Sequence, residues 1–395
     1  MRRWVMVVAV TGLLAGCAVT PPEPPGSNPP LPTRSTTSPA ATPPATPTPS
    51  PSPTPTCRAT AEELSPAERA GQVVMVGVAG SLDRAERKAI TDHHLGAVIL
   101  MGGSARGVSK TAALTDSLQD LAGDLGILVA VDQEGGLVQR LKGTGFSTIP
   151  SAAEQARWSP DELTERATEW AEQLVAAGVQ LNLAPVADVV PRRNVSANEP
   201  VAGLRRGYGT DPEKVSRHVL AFLAGMHAGG VATAVKHFPG LGAVKGNTDF
   251  ADDVVDDTTT ADSDLLVPFW DALAAGTEAV MVSSAVYRRI DPDAIAGFSP
   301  AVVALLRDAG FDGVVVSDDL GAAKALAGVP ARERAVRFLA AGGDLAISVD
   351  PAVAGDMAEG LVERAADDQE FAARLVESAA RVLALKQAHG LVDCD

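Results

Sequence analysis

Charged side chains concentrate in four short motifs, each at the end of a run of apolar residues. The motifs are Asp-Gln-Glu-Gly-Gly at 132–136, Leu-Ala-Pro-Val-Ala-Asp at 183–188, Lys-His-Phe-Pro-Gly at 236–240 and Ser-Asp-Asp-Leu at 317–320. Carboxylates in such places can act as nucleophiles or as general acids and bases, and neighbouring Arg, Lys and His side chains can bind a polar ligand. Four such motifs after four apolar runs favour one polar site over separate solvated loops.

The segments that carry these motifs alternate between predicted strands and helices. Strands that are apolar on both faces and alternate with helices require a parallel sheet, and eight such units predict a closed (β/α)8 barrel of the α/β class. A doubly wound open sheet is the alternative fold. Ala-rich stretches predict helices at 160–177, 211–228, 264–275 and 300–309. Runs rich in β-branched residues predict strands at 73–76, 97–101, 127–131, 179–183, 231–235, 279–283, 314–317 and 344–348.

The barrel predicts where the polar motifs meet. Active sites of this fold lie at the C-terminal ends of the strands. The four motifs follow the predicted strands at 127–131, 179–183, 231–235 and 314–317. The barrel therefore brings all four to one end.

In this order and at these intervals, the motifs resemble those of glycoside hydrolase family 3, in particular the single-domain β-N-acetylglucosaminidases of the NagZ type. The resemblance covers residues 60–390, and its most specific elements are Lys-His-Phe-Pro-Gly and Ser-Asp-Asp-Leu. It is closest to the lipoprotein members found in actinobacteria, which attack N-acetylglucosamine-containing fragments of peptidoglycan. The resemblance implies a barrel hydrolase that needs only water as its second substrate.

The resemblance also implies a nucleophile. Retaining glycoside hydrolysis requires a carboxylate that forms a covalent glycosyl ester and a proton donor on the side of the leaving oxygen. The family nucleophile matches Asp318, and the neighbouring Asp319 is then expected to be a structural carboxylate. An N-cap of the following helix is the alternative role for Asp318.

The same motif matching implies ligands for the terminal sugar at Asp132, Arg140, Lys236 and His237. Taken alone, His237 would be expected to be a hydrogen-bonded core histidine, but its place beside Lys236 at a strand end favours a binding role. The pair Arg205 and Arg206 lies near a further arginine of the family pattern. One extra residue in the local register leaves open which of the two reaches the sugar.

The proton donor departs from the family pattern. Related sequences read Lys-His-Phe-Pro-Gly-His-Gly, four further residues, then Asp-Ser-His, and the last Asp and His form an acid/base dyad. This chain has Leu241 in place of the first His, Asn247 in place of the dyad Asp and Asp249 in place of the dyad His. The imidazole acid is missing at the place where the family keeps it.

A carboxyl group can replace that imidazole. We expect Asp249 to act as the acid/base group if closure of its loop removes water and raises its pKa. Asp252 or Asp253 could take the role if the loop is in another register, and loss of the donor is the remaining alternative. The loop 243–253 suits a mobile lid, with a plain surface loop as the alternative.

Residues 1–56 predict export and tethering. Arg2 and Arg3 precede an apolar run at 4–14 that is too short to span a bilayer and is typical of a signal peptide, here predicted at 1–16. Leu-Ala-Gly-Cys at 14–17 resembles the bacterial lipobox and predicts a lipid on Cys17, with an ordinary core cysteine as the alternative. Residues 17–56 are then a Pro/Thr/Ser-rich linker and 57–395 the barrel. The predicted location is the extracytoplasmic face of the cell membrane.

Cysteine and histidine usage adds two expectations. In an oxidising compartment Cys57 and Cys394 are predicted to form a disulfide, and two free thiols are the alternative. Three cysteines and six scattered histidines offer no metal-ligand spacing, and no motif resembles a dinucleotide or phosphate loop. No metal or cofactor is therefore expected.

Composition limits the class of partner. The chain has 33 Lys and Arg against 49 Asp and Glu, for a net charge of −16. An acidic body without a basic cluster argues against nucleic acid or anionic lipid as the main partner. An apolar fraction of 46% excludes wholesale disorder. A folded enzyme or binding domain, expected to be a monomer, remains.

The leading hypothesis is an exo-acting, retaining β-N-acetylglucosaminidase that acts through Asp318 on N-acetylglucosamine-containing glycans or muropeptides. A glycan-binding lipoprotein with impaired or lost catalysis is the first alternative, and the missing imidazole motivates it. An enzyme that transfers the sugar to phosphate instead of water is the second.

Overall fold

The computed structural model describes residues 55–102 and 106–394. The predicted signal peptide, Cys17 and nearly all of the predicted linker lie outside these residues. The first helix begins at Pro55, two residues before the predicted barrel boundary at Cys57. A proline is well suited to the first turn of a helix, since its missing N–H has no partner to lose there.

Eight parallel strands close into a barrel, as the sequence predicts, and the alternative of an open sheet is wrong. The described residues form strands β1 (Val74–Ala79), β2 (Ala97–Gly102), β3 (Leu128–Val131), β4 (Gln133–Gly135), β5 (Val138–Gln139), β6 (Leu181–Asn182), β7 (Ala232–Phe238), β8 (Val255–Asp256), β9 (Ala279–Val282), β10 (Val286–Tyr287), β11 (Asp291–Ile295), β12 (Val314–Asp319) and β13 (Leu345–Ser348). Hydrogen-bonded neighbours follow the order β1-β13-β12-β9-β7-β6-β3-β2 around the barrel, and each predicted run overlaps one of these eight strands.

The five strands outside the barrel belong to the loops at its C-terminal end. Strands β4 and β5 pair as an antiparallel hairpin directly after β3. Strands β8, β10 and β11 form a small separate sheet in the order β11-β10-β8. These additions build up the end of the barrel to which the four polar motifs belong.

Helices surround the barrel and follow its strands. No helix among the described residues combines the length and the apolar character needed to cross a bilayer. The helices are α1 (Pro55–Glu63), α2 (Pro66–Gln72), α3 (Arg84–Asp92), α4 (Val108–Ala122), α5 (Ala152–Gln155), α6 (Pro160–Ala176), α7 (Pro212–Ala228), α8 (Val267–Ala274), α9 (Pro300–Asp308), α10 (Ala331–Ala340), α11 (Pro351–Asp367) and α12 (Gln369–Ala388).

Local sequence explains where several predicted helices begin. In α6, α7 and α9 a proline at the first position follows an N-cap residue, Ser159, Asp211 or Ser299, whose side chain accepts a hydrogen bond from a backbone N–H of the first turn. The helix predicted at 264–275 is instead divided into a 3-10 turn, Asp264–Leu266, and α8. Pro268 has no N–H to donate to the carbonyl of Asp264, which interrupts the α-helical pattern there.

Helix α12 covers the N-terminal end of the barrel. Its Val382 and Leu385 belong to the same apolar cluster as the side chains inside the barrel, such as Met75 and Leu345. The arginines of the helix add polar contacts: Arg374 Nη2 lies 2.8 Å from the buried carboxylate of Asp344, which immediately precedes β13. With this end covered, ligands approach the barrel from the C-terminal ends of the strands.

The last turn of α12 buries a lysine at the same end. The ammonium of Lys386 donates hydrogen bonds to Gln72 Oε1 at 2.5 Å, to the carbonyl of Gly126 at 3.0 Å and to the carbonyl of Leu125 at 3.2 Å. Burial lowers the pKa of Lys386 to about 7. An unfolded lysine has a pKa of about 10.4, so the unfolded state binds more protons between these values and the protein gains stability as the pH rises through this window.

We expect Lys386→Met to remove this pH dependence. The free energy of unfolding of the wild type, relative to the variant, should rise from about pH 7 toward about pH 10 by at most about 1.4 kcal/mol per pH unit. Urea unfolding at a series of pH values measures it, and Lys88→Met, at an exposed lysine paired with Asp92, is the control. If the difference in the free energy of unfolding between wild type and Lys386→Met did not change with pH, the three acceptors would have to keep Lys386 charged.

A disulfide ties the two ends of the described barrel together. Cys57 in α1 and Cys394 are joined with their Cα atoms 4.8 Å apart, and both residues are buried. Cys57 Sγ also lies 3.2 Å from Oε1 of Gln387 in the last turn of α12. The bond therefore lies at the end of the barrel that α12 covers, opposite the polar motifs.

Candidate active site

Lys236, in β7, forms buried ion pairs that connect two strand ends. Its Nζ lies 2.6 Å from Asp132 Oδ1 and 2.7 Å from Glu134 Oε1, and both acids follow β3. Only 1% of Lys236 is exposed. Burial alone would lower its pKa, but the charges of Asp132 and Glu134 outweigh this effect and raise the pKa. The side chain is therefore a fixed ammonium group.

The end of β7 departs from regular pairing, which lets two consecutive side chains join one polar cluster. Val235 is paired with Val280 of β9, and the register then shifts before Phe238, so that Lys236 and His237 lie in the irregular stretch. Side chains of consecutive residues point to opposite faces of a regular strand. The irregularity explains how both residues contact the same cluster, and such irregularities are common next to active sites.

Arg206 supplies the second buried cation. Its Nε and Nη2 lie 2.9 and 2.7 Å from the two carboxylate oxygens of Glu134, in bidentate geometry. Burial raises the pKa of Glu134, but the charges of Arg206 and Lys236 outweigh it and hold that pKa well below its usual range. Glu134 is therefore ionised and fixes both cations.

His237 is oriented by Asp188 and Arg206. Its Nδ1 lies 2.8 Å from Asp188 Oδ2, and its Nε2 lies 3.0 Å from Arg206 Nη2. A guanidinium can only donate, so Nε2 accepts and Nδ1 carries the proton that bonds to Asp188. Asp188 Oδ1 also accepts the backbone N–H groups of His237 and Leu241. His237 thus holds Arg206 in place and links it to Asp188.

The structure distinguishes the two neighbouring arginines. Arg205 Nη2 forms a surface ion pair with Glu154 at 3.2 Å, and its side chain is 53% exposed. Only Arg206 belongs to the cluster. Of the two arginines between which the sequence left the choice open, Arg206 is therefore the candidate for binding the sugar. Arg140 lies at the edge of the cluster, with Nε 3.9 Å from Asp132 Oδ2. That Nε is buried and has no hydrogen-bond partner among the described residues, so it is available to a ligand.

Asp318 lies at the C-terminal end of β12, where this strand is also irregular. Val316 pairs with Leu345 and Asp319 with Ile347, so the register shifts across Ser317 and Asp318. The partly exposed carboxylate of Asp318 accepts one hydrogen bond, from the backbone N–H of Asp319 at 2.9 Å. It has no ion pair among the described residues. This carboxylate is uncommitted, unlike those of Asp132, Glu134 and Asp188.

Asp319 has the structural role that the sequence suggests. Its Oδ1 accepts the backbone N–H groups of Gly321 at 2.9 Å and Val349 at 3.0 Å, and its Oδ2 accepts that of Ala322 at 2.9 Å. Neither aspartate is a helix N-cap, because the following 3-10 turn, Lys324–Leu326, is preceded by Ala323 and α10 by Pro330; the N-cap alternative for Asp318 is therefore wrong. Asp319 fixes the turn that follows β12 and leaves Asp318 free.

Asp249 lies on the loop after β7, in a turn in which its backbone N–H donates to Asn247 Oδ1 at 3.0 Å. The residue has a large exposed area, but protein atoms surround part of its carboxyl group. This partial burial and then the negative charge of Asp318 raise the pKa of Asp249, while the charge of Arg206 opposes them. Asp249, Asp318 and Arg206 are thus close enough to influence one another.

The rest of this loop separates into a packed start and an exposed turn. Leu241, which stands where the family has a histidine, is 2% exposed and forms part of the apolar core. Asp252 and Asp253 are exposed. The raised pKa of Asp249, caused by partial burial and then by the charge of Asp318, makes this residue the candidate proton donor.

Sequence reasoning missed two residues of the cluster, Glu134 and Asp188. Both lie inside motifs that it used, yet it assigned them no role. The available signal was their position within five residues after predicted buried strands, where an acid needs a partner. Their partners are 72 and 49 residues away along the chain, Arg206 and His237, and sequence spacing alone does not reveal such pairs.

A protein metal site needs a group of ligand side chains that lie close together. Within residues 55–102 and 106–394, no three His, Cys, Asp or Glu residues form such a group. The polar cluster instead alternates cations with carboxylates: Lys236 and Arg206 bind Asp132 and Glu134. Hydrogen-bonding groups of both charges at one barrel end are suited to a ligand with many hydroxyl groups.

Comparison with known proteins gives a consistent result. The family model described as "Glycosyl hydrolase family 3 N terminal domain" matches residues 67–385. A β-hexosaminidase of Stenotrophomonas maltophilia (strain K279a) is 35% identical over 295 residues, which are 71% of this chain and 84% of the relative. The structure of a β-N-acetylhexosaminidase from Beutenbergia cavernae is similar with a TM-score of 0.81 and 45% identity, over 82% of this chain and 99% of that one.

A second solved structure is a glycoside hydrolase family 3 β-N-acetylglucosaminidase from Paenibacillus sp. str. FPU-7. Its TM-score is 0.75 at 30% identity, over 83% of this chain and 63% of that one. The residues matched by the family model include all eight barrel strands and the four polar motifs.

Proposed function

Because the chain belongs to glycosyl hydrolase family 3, we propose that it is an exo-acting β-N-acetylglucosaminidase that retains the anomeric configuration through a covalent intermediate on Asp318. One observation carries the mechanism: the carboxylate of Asp318, at the end of β12, accepts only one hydrogen bond, and its charge helps partial burial to raise the pKa of a second carboxyl, Asp249. Two carboxyl groups with different protonation states are what double displacement requires.

The proposed reaction has two steps. In the first, a carboxylate oxygen of Asp318 attacks C1 of the sugar, the glycosidic C1–O bond breaks, and Asp249 gives its proton to the leaving oxygen. In the second, the Asp249 carboxylate takes a proton from water, whose oxygen attacks C1 and releases Asp318. The partial burial of Asp249 and the charge of Asp318 support the first step, because both favour the protonated acid in the free enzyme.

The polar cluster is the proposed binding site of the terminal sugar. Lys236 and Arg206 are fixed donors, Asp132 is a fixed acceptor, and the buried Arg140 Nε has an unused hydrogen bond. A site whose groups are held by one another loses little entropy when the sugar binds. His237 supports Arg206 by accepting its hydrogen bond.

Water is favoured over phosphate as the second substrate. A phosphate acceptor would have to approach C1 beside Asp249 after this group has given up its proton, and two like charges at that distance repel. The alternative of a phosphorylase therefore has less support than hydrolysis. Rates of product release with and without added inorganic phosphate should be equal.

We propose that the natural substrates are peptidoglycan-derived fragments and that the protein is anchored by a lipid on Cys17. The supporting features are the lipobox-like 14–17 segment, the Pro-rich linker and the Cys57–Cys394 disulfide, which is typical of proteins outside the cytoplasm. Loss of the membrane-bound fraction in Cys17→Ala would support the anchor. Size-exclusion chromatography of residues 57–395 tests the expectation of a monomer.

The activity is tested by the stereochemistry of the first product. Aryl N-acetyl-β-glucosaminide and aryl β-glucoside are offered to the full chain, and NMR follows the anomer released before mutarotation. We expect turnover of the first substrate only, with β-N-acetylglucosamine appearing first. The α-anomer would exclude the covalent mechanism, and no turnover would favour the alternative of a glycan-binding lipoprotein.

The two adjacent arginines provide a matched test of the sugar site. Arg206→Lys removes the bidentate contact with Glu134 and the contact with His237, and we expect kcat/KM to fall roughly 10- to 100-fold through a higher KM, as for the loss of hydrogen bonds between charged groups. Arg205→Lys changes only a surface ion pair, which contributes little. Equal effects of both changes would contradict the assignment of Arg206.

A further inference from the structure

Asn198 connects two parts of the site that are far apart in the sequence. It is 2% exposed. The two N–H groups of its side-chain amide donate to the carbonyl oxygens of Leu241 at 2.7 Å and Val244 at 2.9 Å, and the carbonyl oxygen of Gly242, at 3.3 Å, shares one of them. These three carbonyls belong to the first residues of the loop that carries Asp249. One buried side chain therefore holds the start of this loop.

The other side of the same amide holds the turn that leads to Arg206. Asn198 Oδ1 accepts the backbone N–H groups of Ala202 at 2.8 Å and Val201 at 3.1 Å. The carbonyl of Val201 accepts the backbone N–H of Arg206, and the carbonyl of Pro200 accepts its Nη1. The segment 198–206 and the start of the loop are thus one hydrogen-bonded unit.

Packing leaves the start of the loop little freedom. A Cβ atom at Gly242 would lie 1.8 Å from the carbonyl oxygen of Val189, so the backbone there lies directly against its neighbour. Asn194 Nδ2 adds a bond to the carbonyl of Ala243 at 2.7 Å, and the N–H of Glu199 adds one to the carbonyl of Lys245. From Asn247 onward, by contrast, the N–H groups of Asp249 and Phe250 bond within the turn itself.

We propose that Asn198 is a positioning residue for the proton donor: it joins the loop of Asp249 to the segment of Arg206, so that the sugar site and the acid/base group share one rigid support. The inference rests on the proposed function of Asp249. Acid catalysis depends on the distance between donor and leaving oxygen, and a displacement of about 1 Å can cost roughly 10²-fold in rate. A support in which one buried amide contacts three carbonyl oxygens of the loop and two N–H groups of the segment 198–206 restricts that displacement.

Asn198→Asp removes the hydrogen bonds to the loop of Asp249 but keeps those to the segment of Arg206. The aspartate oxygen still accepts from Val201 and Ala202, but the second oxygen cannot donate to the three carbonyls of the loop and repels them. We expect kcat/KM to fall roughly 10²-fold on an unactivated phenyl N-acetyl-β-glucosaminide and to change little on the dinitrophenyl glycoside, whose leaving group needs no proton. The inhibition constant of N-acetylglucosamine should be unchanged.

The controls separate this role from general destabilisation. Gln119→Ala removes an amide that bonds the backbone of Ile127 at the covered end of the barrel, and should lower stability without any dependence on the leaving group. Asn194→Ala loses one bond to the loop and should show a smaller effect of the same kind as Asn198→Asp, which tests the idea even if Asn198→Asp folds poorly. The proposal is overturned if the two asparagine variants lose kcat/KM equally on the phenyl and dinitrophenyl glycosides, or if they lose none. If wild-type turnover does not depend on Asp318, the proposed function itself fails.

Discussion

Replacing Asp318 by asparagine is expected to lower kcat/KM on aryl N-acetyl-β-glucosaminides by roughly 10⁴- to 10⁶-fold, the scale of loss when a catalytic group that works as part of a unit is removed. The amide has nearly the same shape but is a poor nucleophile. The carboxylate forms no ion pair among the described residues, so its removal leaves no buried partner unpaired and the fold should be retained. Steady-state kinetics and thermal unfolding measure the two effects.

Asp319→Asn is the matched control one residue away. The Asp319 carboxylate accepts three backbone N–H groups, and an amide nitrogen facing one of them costs about 1–3 kcal/mol of stability. We therefore expect a lower melting temperature with most of the activity retained. If a fluorosugar that traps the intermediate labelled another side chain, or if Asp318→Asn kept its activity, the assignment of the nucleophile would be wrong.

Removal of Asp249 is expected to produce a loss that depends on the leaving group. Asp249→Ala should reduce turnover of phenyl and disaccharide substrates by roughly 10²- to 10⁴-fold, the usual contribution of a general acid. The dinitrophenyl glycoside should react with Asp318 almost as fast as in the wild type. Its second step should then be slow, and added azide, a small anion that needs no general base, should accelerate it and yield the glycosyl azide.

The pH dependence follows from the same group. Asp249 must be protonated in the first step, so wild-type kcat/KM falls as the pH rises through the pKa of this carboxyl, which burial and Asp318 raise. The fall of kcat/KM at high pH should therefore occur above the usual pKa range of a carboxyl group, and it should disappear in Asp249→Ala. Asp252→Ala and Asp253→Ala, at exposed positions on the same loop, should show the same fall of kcat/KM at high pH as the wild type. An unchanged fall of kcat/KM at high pH in Asp249→Ala would assign the proton to another donor.

The barrel could be predicted because buried parallel strands leave a strong sequence signal. Runs such as 127–131 and 314–316 are continuously apolar, and short polar motifs follow their C-terminal ends. Strands β7 and β12 extend beyond their predicted ends into the motifs themselves. Both strands are irregular there, and strand patterns that assume strict alternation do not reveal such stretches.

The internal bonding of the site could not be predicted. Glu134 and Asp188 became parts of the site only when the fold placed Arg206 and His237 next to them. The choice between Arg205 and Arg206 depends on the turn at Glu199–Gly203, whose geometry is fixed by the buried Asn198. Contacts over such long sequence separations are a property of the folded chain, whereas the motifs are a property of short segments.

The position of the disulfide has a practical consequence for handling the protein. Cys57 and Cys394 both lie at the end of the barrel that α12 covers, remote from Asp318 and the loops around it. A bead, a fluorescent label or a fused module joined next to either cysteine would leave the entrance unobstructed. Immobilised enzyme should accordingly process bulky polymeric glycans as freely as enzyme in solution.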